Sequence, residues 1–336
     1  MIRALRNLIG LVIAIAIASC VIVAAAAIWF SHAVHGDVSL PRQSTRVIIP
    51  RGSTFSEITR ELAAQQVIQN PLAFRLLARL RHEDNAVRAG EYRFAPHQSE
   101  SDILRRLLHG GAQVAIWVTI PEGFTARQIA DRLSDSGLGS GDALYDAFMR
   151  DSIVVGPDRT KNLEGFLFPS TYLLPIGASP SAIEKVLTGQ FRKELPSNAV
   201  SAARKLHLSI PQIVTVASLV EREAKADNER ALMAGVYYNR LRLQMPLQVD
   251  ATLEYTLPAH KTVLTDADVG RDDPYNTYKH AGLPPTPIAN PGEPSLIAAF
   301  DPKPSAYLYY VSKGDGHSAF AKTLAEHNAN VARYLK

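Results

Sequence analysis

An uninterrupted apolar run near the amino terminus constrains the whole chain. Residues 8–30 contain no charged residue and no proline. As a helix rising about 1.5 Å per residue, this run extends for about 34 Å, enough to cross a hydrocarbon core of about 30 Å. We therefore predict a transmembrane helix at 8–30, which holds the rest of the chain on one side of a membrane.

The residues on either side of the run predict its orientation. Arg3 and Arg6 precede it, and Trp29 stands near its end. Positive charge on the amino-terminal side predicts a cytoplasmic tail at 1–7, with the remaining chain outside the cytoplasm. A cleaved signal peptide is the first alternative, but its apolar region is usually only about 7–15 residues long. A lipoprotein processed at Cys20 is the second, although the sequence stays apolar beyond that cysteine.

A strand–turn–helix pattern occurs twice in the chain. The segment Ile49-Pro50-x-Gly52-x-Thr54 recurs as Ile120-Pro121-x-Gly123-x-Thr125. Each copy follows a β-branched stretch that is typical of a strand. Each threonine has a glutamate or glutamine three residues later, which predicts a capping box at the start of a helix. The chain therefore contains an internal repeat.

The first copy continues into a larger module. We predict a second helix at 71–81 and a return strand at 90–94, after a polar tether at 31–45. The order strand–helix–helix–strand with this opening resembles the LysM carbohydrate-binding module. We therefore predict a LysM-like α+β module over 46–110, with a generic α+β spacer as the alternative.

The remaining residues, 111–336, are predicted to form a mixed α+β catalytic domain, so the fold class of the chain is α+β. Its first part is the second repeat copy at 116–135. One long helix is predicted near 211–243, followed by proline-rich loops. A strand at 307–311 and a final helix within 318–334 complete the domain.

Two glutamates on the predicted long helix are candidates for acid–base chemistry. At helical spacing, Glu223 falls within the apolar stripe that contains Val216 and Leu219, whereas Glu221 falls near the margin of that stripe. Burial raises the pKa of a carboxyl group, which suits a general acid working near neutral pH. Glu223 is the better candidate and Glu221 the alternate. A structural network with neighbouring basic residues is the other interpretation of both.

Several other chemistries find no support in the sequence. The formal net charge of +4 is small, and no basic cluster with interleaved aromatics predicts nucleic-acid binding. The chain has no HExxH motif, no paired Cys/His cluster and no G-x-S-x-G segment. We therefore predict no metal and no cofactor.

Three polar segments combine aromatic, amide and carboxyl side chains of the kind that bind sugars. Prolines in the longest of them would stiffen the chain and preorganise these side chains. A rigid structural loop is the alternative. The predicted substrate-binding residues are Glu164, Gln248, Asp250, Tyr275, Asn276 and Tyr278.

Taken in order, these segments resemble the endolytic murein transglycosylase family, which is also called YceG-like. The resemblance covers nearly the whole chain, including the anchor, and continues in the tail through Tyr307–Tyr309, Gly316-His317 and His327-Asn328. The matching motifs are Glu164–Pro169 (EGFLFP), Ala217–Glu223 (ASLVERE), Asn239–Leu241 (NRL), Leu247–Asp250 (LQVD), Tyr275–Tyr278 (YNTY) and Gly282–Gly292 (GLPPTPIANPG).

The resemblance implies a reaction that residue patterns alone do not reveal. Members cut the β-1,4 bond between MurNAc and GlcNAc without water and leave a 1,6-anhydroMurNAc end. Glu223 aligns with the family's catalytic glutamate and would act first as acid and then as base. The implied setting is nascent peptidoglycan at the bacterial inner membrane, where cleavage terminates glycan chain growth beside penicillin-binding synthases. A non-catalytic peptidoglycan-binding scaffold and a true hydrolase are the competing interpretations.

Overall fold

The computed structural model describes residues 2–36, 44–50, 52–111, 115–257, 261 and 264–335. The chain divides into two compact units. Unit 1 comprises Met1–Ala115 and Pro175–Gly177, and unit 2 comprises Ile116–Leu174 and Ala178–Lys336.

Unit 1 begins with the long helix α1 (Ile2–His35). Eighteen consecutive residues within its segment Val12–His35 have a mean hydropathy of 2.7, and the segment is long and apolar enough to cross a membrane. The helix continues past the predicted end of the span because Val34 is fully buried and packs into the core of the unit. Of the predicted tether at 31–45, residues 37–43 lie outside the described residues.

The elements that follow α1 have the predicted order strand, helix, helix, strand. They are β1 (Thr45–Ile49), α2 (Phe55–Ala64), α3 (Pro71–Leu80) and β2 (Gly90–Phe94), and helix α4 (Glu100–His109) follows. The two strands pair antiparallel. The predicted capping box is confirmed, since Thr54 and Glu57 exchange backbone–side-chain hydrogen bonds. The likeness to LysM modules stays a prediction.

Unit 2 begins with the second repeat copy. Strand β3 (Ala115–Thr119) precedes α5 (Ala126–Asp135), whose capping box between Thr125 and Gln128 is also confirmed. The next elements are α6 (Gly141–Arg150), β4 (Val154–Val155), β5 (Asp158–Arg159), β6 (Thr171–Pro175), α7 (Pro180–Glu194) and α8 (Ala199–Leu206). Strand β6 pairs with β3, and β4 pairs with β5.

The prediction of a single long helix near 211–243 is wrong. The structure has two helices there, α9 (Ile210–Glu223) and α10 (Arg230–Arg242), separated by a 3-10 turn at Asp227–Glu229. Ala224 has extended backbone angles and packs into the apolar core. No glycine or proline marks the break, and alanine and lysine favour helix. Tertiary packing therefore overrides local propensity at this point.

The carboxyl-terminal part surrounds α9 and supplies a small hairpin. It comprises α11 (Asp250–Glu254), α12 (Asp266–Val269), α13 (Glu293–Phe300), β7 (Tyr309–Ser312), β8 (Ser318–Ala321) and α14 (Leu324–Tyr334). The strand predicted at 307–311 begins two residues later, and the final helix lies inside its predicted range. Strand β8, which pairs antiparallel with β7, was not predicted. Helix α9 packs against α8, α10, α11 and α13 and is the central element of unit 2.

Candidate active site

Helix α9 carries two glutamates at the end of an otherwise buried segment. Ser209 and Gln212 form a capping box at its start, with Pro211 in the first turn. The side chains from Ile213 to Val220 are all buried. Glu223 is the last helical residue, where the free backbone carbonyls of the final turn disfavour a negative charge nearby. The helix thus presents one carboxyl group at its carbonyl end.

Glu223 has a tyrosine as its hydrogen-bond partner. The Tyr310 hydroxyl donates to Glu223 Oε2 at 3.3 Å. The hydroxyls of Tyr310 and Tyr237 lie 2.8 Å apart in turn. Burial, and to a smaller extent the negative charge of Asp250, raise the pKa of Glu223 to about 7, although the Tyr310 hydrogen bond acts to lower it. Glu223 is only partly buried as a residue. It can therefore hold a proton near neutral pH and still reach a substrate.

Glu221 is more enclosed than its predicted place at the margin of the apolar stripe suggests, because it is bound by charged and polar groups of other elements. Its side chain is only 7% exposed and forms an ion pair with Arg230 at 3.4 Å. Its Oε2 also accepts a hydrogen bond from the backbone N–H of Gly292 at 3.0 Å. Gly292 caps the start of α13. Glu221 therefore joins α9 to α10 and α13, as expected of a structural network.

Two of the predicted substrate-binding residues, Asp250 and Tyr278, lie close enough to Glu223 to interact with it electrostatically, and Gln248 precedes Asp250 by two residues. Asp250 and Gln248 are exposed, and the charge of Asp250 acts on Glu223. The Tyr278 hydroxyl donates a hydrogen bond to Asp250. Gln248 has a positive φ of 54° and accepts a hydrogen bond from Arg240 at 3.2 Å. This group offers carboxyl, amide and phenol groups beside the raised-pKa acid.

The polar groups of Asn276 and Tyr275 form hydrogen bonds to other residues of the chain. The fully buried Asn276 amide donates to the carbonyls of Val269 and Arg271 at 2.8 and 2.7 Å. Its oxygen accepts from the backbone N–H of Tyr278 at 3.0 Å. The Tyr275 hydroxyl lies 2.7 Å from that of Thr286. Asn276 thus fixes the loop that presents Tyr278.

Glu164 is buried, with 1% of its surface exposed. Its carboxyl group accepts hydrogen bonds from the backbone N–H of Ala126, from the Asn290 amide and from the Tyr255 hydroxyl, all at 3.0–3.1 Å. Burial raises its pKa to about 7. A group so enclosed does not reach a sugar in this conformation. The substrate-binding role of Glu164 stays a prediction, and its contacts are those of a group that holds α5 in place.

Sequence reasoning missed the residues behind Glu223. Tyr237 lies on α10 and Tyr310 on β7, and Arg240 donates to the backbone carbonyl of Leu308 at 2.6 Å. The Arg240 guanidinium also packs over the Tyr309 ring, 5.0 Å from its centroid. The tyrosine-rich strand was visible in the sequence, but nothing in its spacing indicated which tyrosine faces Glu223.

A separate cavity of about 710 Å³ opens at the other end of α9. It is lined by Gln212 and Thr215 of α9, by Lys161, and by Leu283 and Pro284 of the proline-rich loop. Thr215 precedes Glu223 by eight residues, which is about 12 Å along the helix, and Glu223 does not line this cavity. Its lining combines apolar and polar groups.

The chain is similar to known proteins over most of its length. A sequence model described as the YceG-like family matches residues 47–333. The endolytic murein transglycosylase of Bacillus subtilis (strain 168) is 32% identical over 311 residues, which cover 88% of this chain and 86% of that protein. The endolytic murein transglycosylase of Streptococcus pneumoniae serotype 2 is 28% identical over 85% of this chain, which spans 58% of that longer protein. A crystal structure of a YceG-like protein from Listeria monocytogenes superimposes with a TM-score of 0.56 and 31% identity, covering 86% of this chain and 99% of that one.

Proposed function

The chain belongs to the YceG-like family, and from this membership we propose that it is an endolytic peptidoglycan lytic transglycosylase. The proposed reaction cleaves the β-1,4 bond between MurNAc and GlcNAc and leaves a 1,6-anhydroMurNAc end. The observation that carries the proposal is the position of the Glu223 carboxyl group at the end of α9, where its pKa is raised to about 7. The names of the bacillary and pneumococcal relatives support the reaction class.

Glu223 performs both proton transfers in the proposed mechanism. Its protonated form donates to the glycosidic oxygen as the bond to C1 of MurNAc breaks. The resulting carboxylate then accepts the proton of the C6 hydroxyl of the same MurNAc while that oxygen bonds to C1. The proton returns to Glu223, so the enzyme ends the cycle in its starting state and no water is consumed. A pKa near the working pH suits both steps.

Asp250 supports this chemistry through its charge. A carboxylate beside the reacting sugar stabilises the positive charge that develops at C1 as the bond breaks. The same charge raises the pKa of Glu223 and so keeps the acid protonated. Tyr278 donates a hydrogen bond to Asp250, and Asn276 holds the backbone of Tyr278. We therefore assign Asp250, Gln248 and Tyr278 to the sugar and Asn276 and Glu164 to positioning.

A hydrolase is the second candidate, and Asp250 is the observation that favours it. Hydrolytic glycosidases use two carboxyl groups, one as acid and one to activate water or attack the sugar. Asp250 could serve as the second group, and the product would then have a reducing end. A non-catalytic peptidoglycan-binding scaffold is the third candidate and predicts binding without cleavage.

The proposed setting follows from α1. We propose that α1 anchors the chain in the bacterial inner membrane, with the amino terminus in the cytoplasm and the residues after the span outside it. In this arrangement the module at 46–110 is LysM-like and the domain at 111–336 is catalytic. An anchored enzyme reaches glycan close to the bilayer, where penicillin-binding synthases make it. Cleavage there would terminate chain growth.

Product analysis tests the proposed reaction. The purified full chain in detergent is incubated with peptidoglycan sacculi, and the released muropeptides are examined by mass spectrometry. We expect fragments that end in 1,6-anhydroMurNAc, lighter by one water than the hydrolytic product. Reducing ends would assign the chain to the hydrolases. Binding to sacculi with no released fragment would assign it to the scaffolds.

A further inference from the structure

Helix α3 of unit 1 exposes a row of leucines. Leu72, Leu76 and Leu80 are 73%, 42% and 62% exposed. Their spacing of four residues places them along one side of the helix. The opposite side is already packed, because Ala73, Phe74, Leu77 and Ala78 are all buried in the core of the unit. Three aligned leucines in water on a helix with a separate buried face indicate a second apolar contact.

Two arginines border this leucine row. Arg75 and Arg79 lie one residue before Leu76 and Leu80 and are exposed. At helical spacing they fall on the side of the row that points away from the buried face. The outer surface of α3 is therefore an apolar stripe with a cationic margin, and its charge is complementary to phosphate groups.

The leucine row lies beside the outer end of the apolar helix α1. Helix α1 packs against α3 and α4 within unit 1. A cavity of about 500 Å³ is lined by Trp29 of α1 together with Phe55, Leu72, Leu76, Arg75 and Arg79. Trp29 is 49% exposed, and tryptophan near the end of a membrane span is typical of the headgroup region. The exposed stripe of α3 and the end of the span therefore meet at one place.

We propose that α3 lies in the headgroup region of the bilayer crossed by α1, with Leu72, Leu76 and Leu80 among the upper acyl chains and Arg75 and Arg79 on lipid phosphates. The occupant of the leucine face is a phospholipid surface, because the face continues from a membrane-spanning helix and has a cationic border. This inference rests on the proposed anchor function of α1. Unit 1 is then held against the membrane at two points.

The lipid environment of single labels tests the proposal in the full chain. Cys20 is the only cysteine, so a Cys20→Ser background accepts one new cysteine at a time. Leu76→Cys reports on the α3 stripe, and Arg93→Cys reports on an exposed side chain of β2 in the same unit. Each variant is labelled with a fluorophore and reconstituted in vesicles of phosphatidylethanolamine and phosphatidylglycerol. Quenching by spin-labelled lipid is compared with quenching by iodide in the water.

We expect the lipid quencher to remove most of the fluorescence of the label at Leu76→Cys and iodide to remove little of it. The label at Arg93→Cys should show the reverse. Replacing both arginines by glutamate, as Arg75→Glu and Arg79→Glu, should shift the Leu76 label towards the iodide pattern. A Leu76 label open to iodide would overturn the proposal. A label protected from both quenchers would also overturn it and would point to a protein partner or a second copy.

A third label separates failure of this inference from failure of the anchor. Ile22 is 68% exposed on α1, within the predicted span, and Ile22→Cys should be quenched strongly by the lipid. Quenching at Ile22 without quenching at Leu76 would reject the α3 contact and retain the anchor. Absence of lipid quenching at both positions would reject both. Thermal unfolding of each variant in detergent checks that the fold is retained.

Discussion

The Tyr310 hydroxyl of β7 donates a hydrogen bond to Glu223 of α9, and so joins two elements that are far apart in sequence. The distance from the Tyr310 hydroxyl to Glu223 Oε2 is 3.3 Å, and the Tyr237 hydroxyl lies 2.8 Å from that of Tyr310. This hydrogen bond stabilises the carboxylate and lowers the pKa that burial and Asp250 raise. The proton affinity of Glu223 is therefore a balance between named neighbours, and each neighbour can be changed separately.

Tyr310→Phe removes the hydrogen bond that favours the ionised form of Glu223. The pKa of Glu223 should then rise, so the acid stays protonated to higher pH. The alkaline limb of the pH–rate profile should move upward by about one to two pH units, the amount expected for one hydrogen bond to a charged group. The profile is measured as fragments released per minute from sacculi between pH 5 and 9, a range of about four units around the expected limb. An unshifted limb would argue against this contact in the working enzyme.

Asp250→Asn should move the same limb in the opposite direction. Asp250 raises the pKa of Glu223 by charge repulsion, and asparagine keeps the shape without the charge. The limb should therefore fall to lower pH, by up to about one unit. The rate at low pH should also fall if Asp250 stabilises the developing positive charge. Equal shifts in one direction for both variants would contradict the assignment of these two neighbours.

Glu223→Gln should stabilise the protein at alkaline pH. The pKa of Glu223 is raised in the folded chain from an ordinary 4.5 to about 7. Protonated Glu223 therefore makes its full contribution to the stability of the fold below about pH 4.5, and this contribution is lost as the pH rises through about 7. Glutamine cannot ionise, so the variant should match the wild type near pH 4 and exceed it near pH 8.5 by up to about 3 kcal/mol. Thermal unfolding midpoints of the full chain in detergent at these pH values measure the difference.

Glu164 offers a test of positioning against substrate binding. Glu164→Ala would leave the Ala126 N–H, the Asn290 amide and the Tyr255 hydroxyl without their acceptor. Loss of several buried hydrogen bonds should destabilise the fold by about 2–5 kcal/mol. The matched variant Glu164→Gln keeps one acceptor oxygen and should lose less. Activity per folded molecule should be retained in both. A normal unfolding midpoint with weakened binding to sacculi would instead indicate contact with substrate.

Local chemistry made much of the fold predictable. Thr54 with Glu57 and Thr125 with Gln128 are pairs within one helical turn, and both capping boxes were predicted. Such features need no knowledge of distant parts of the chain, which is why the sequence reveals them.

Features that depend on distant contacts were not predictable. The break after Glu223 has no glycine or proline to mark it and results from packing of Ala224 in the core. The Tyr310 contact joins residues 87 positions apart. Asn276 lies in a polar segment, so its complete burial could not be inferred from its neighbours. In each case the determining partner is supplied by another element.

The central claim is that Glu223 is the acid and base of the reaction, and one pair of variants tests it most directly. Glu223→Gln and Glu221→Gln are compared on sacculi, with release of anhydro-muropeptides as the readout and thermal unfolding as the check on folding. We expect Glu223→Gln to lower the rate by about 100-fold or more. Glu221→Gln should mainly lower the unfolding midpoint, since Glu221 binds Arg230 and Gly292. Normal activity in Glu223→Gln, or loss of chemistry only in a folded Glu221→Gln, would contradict the account.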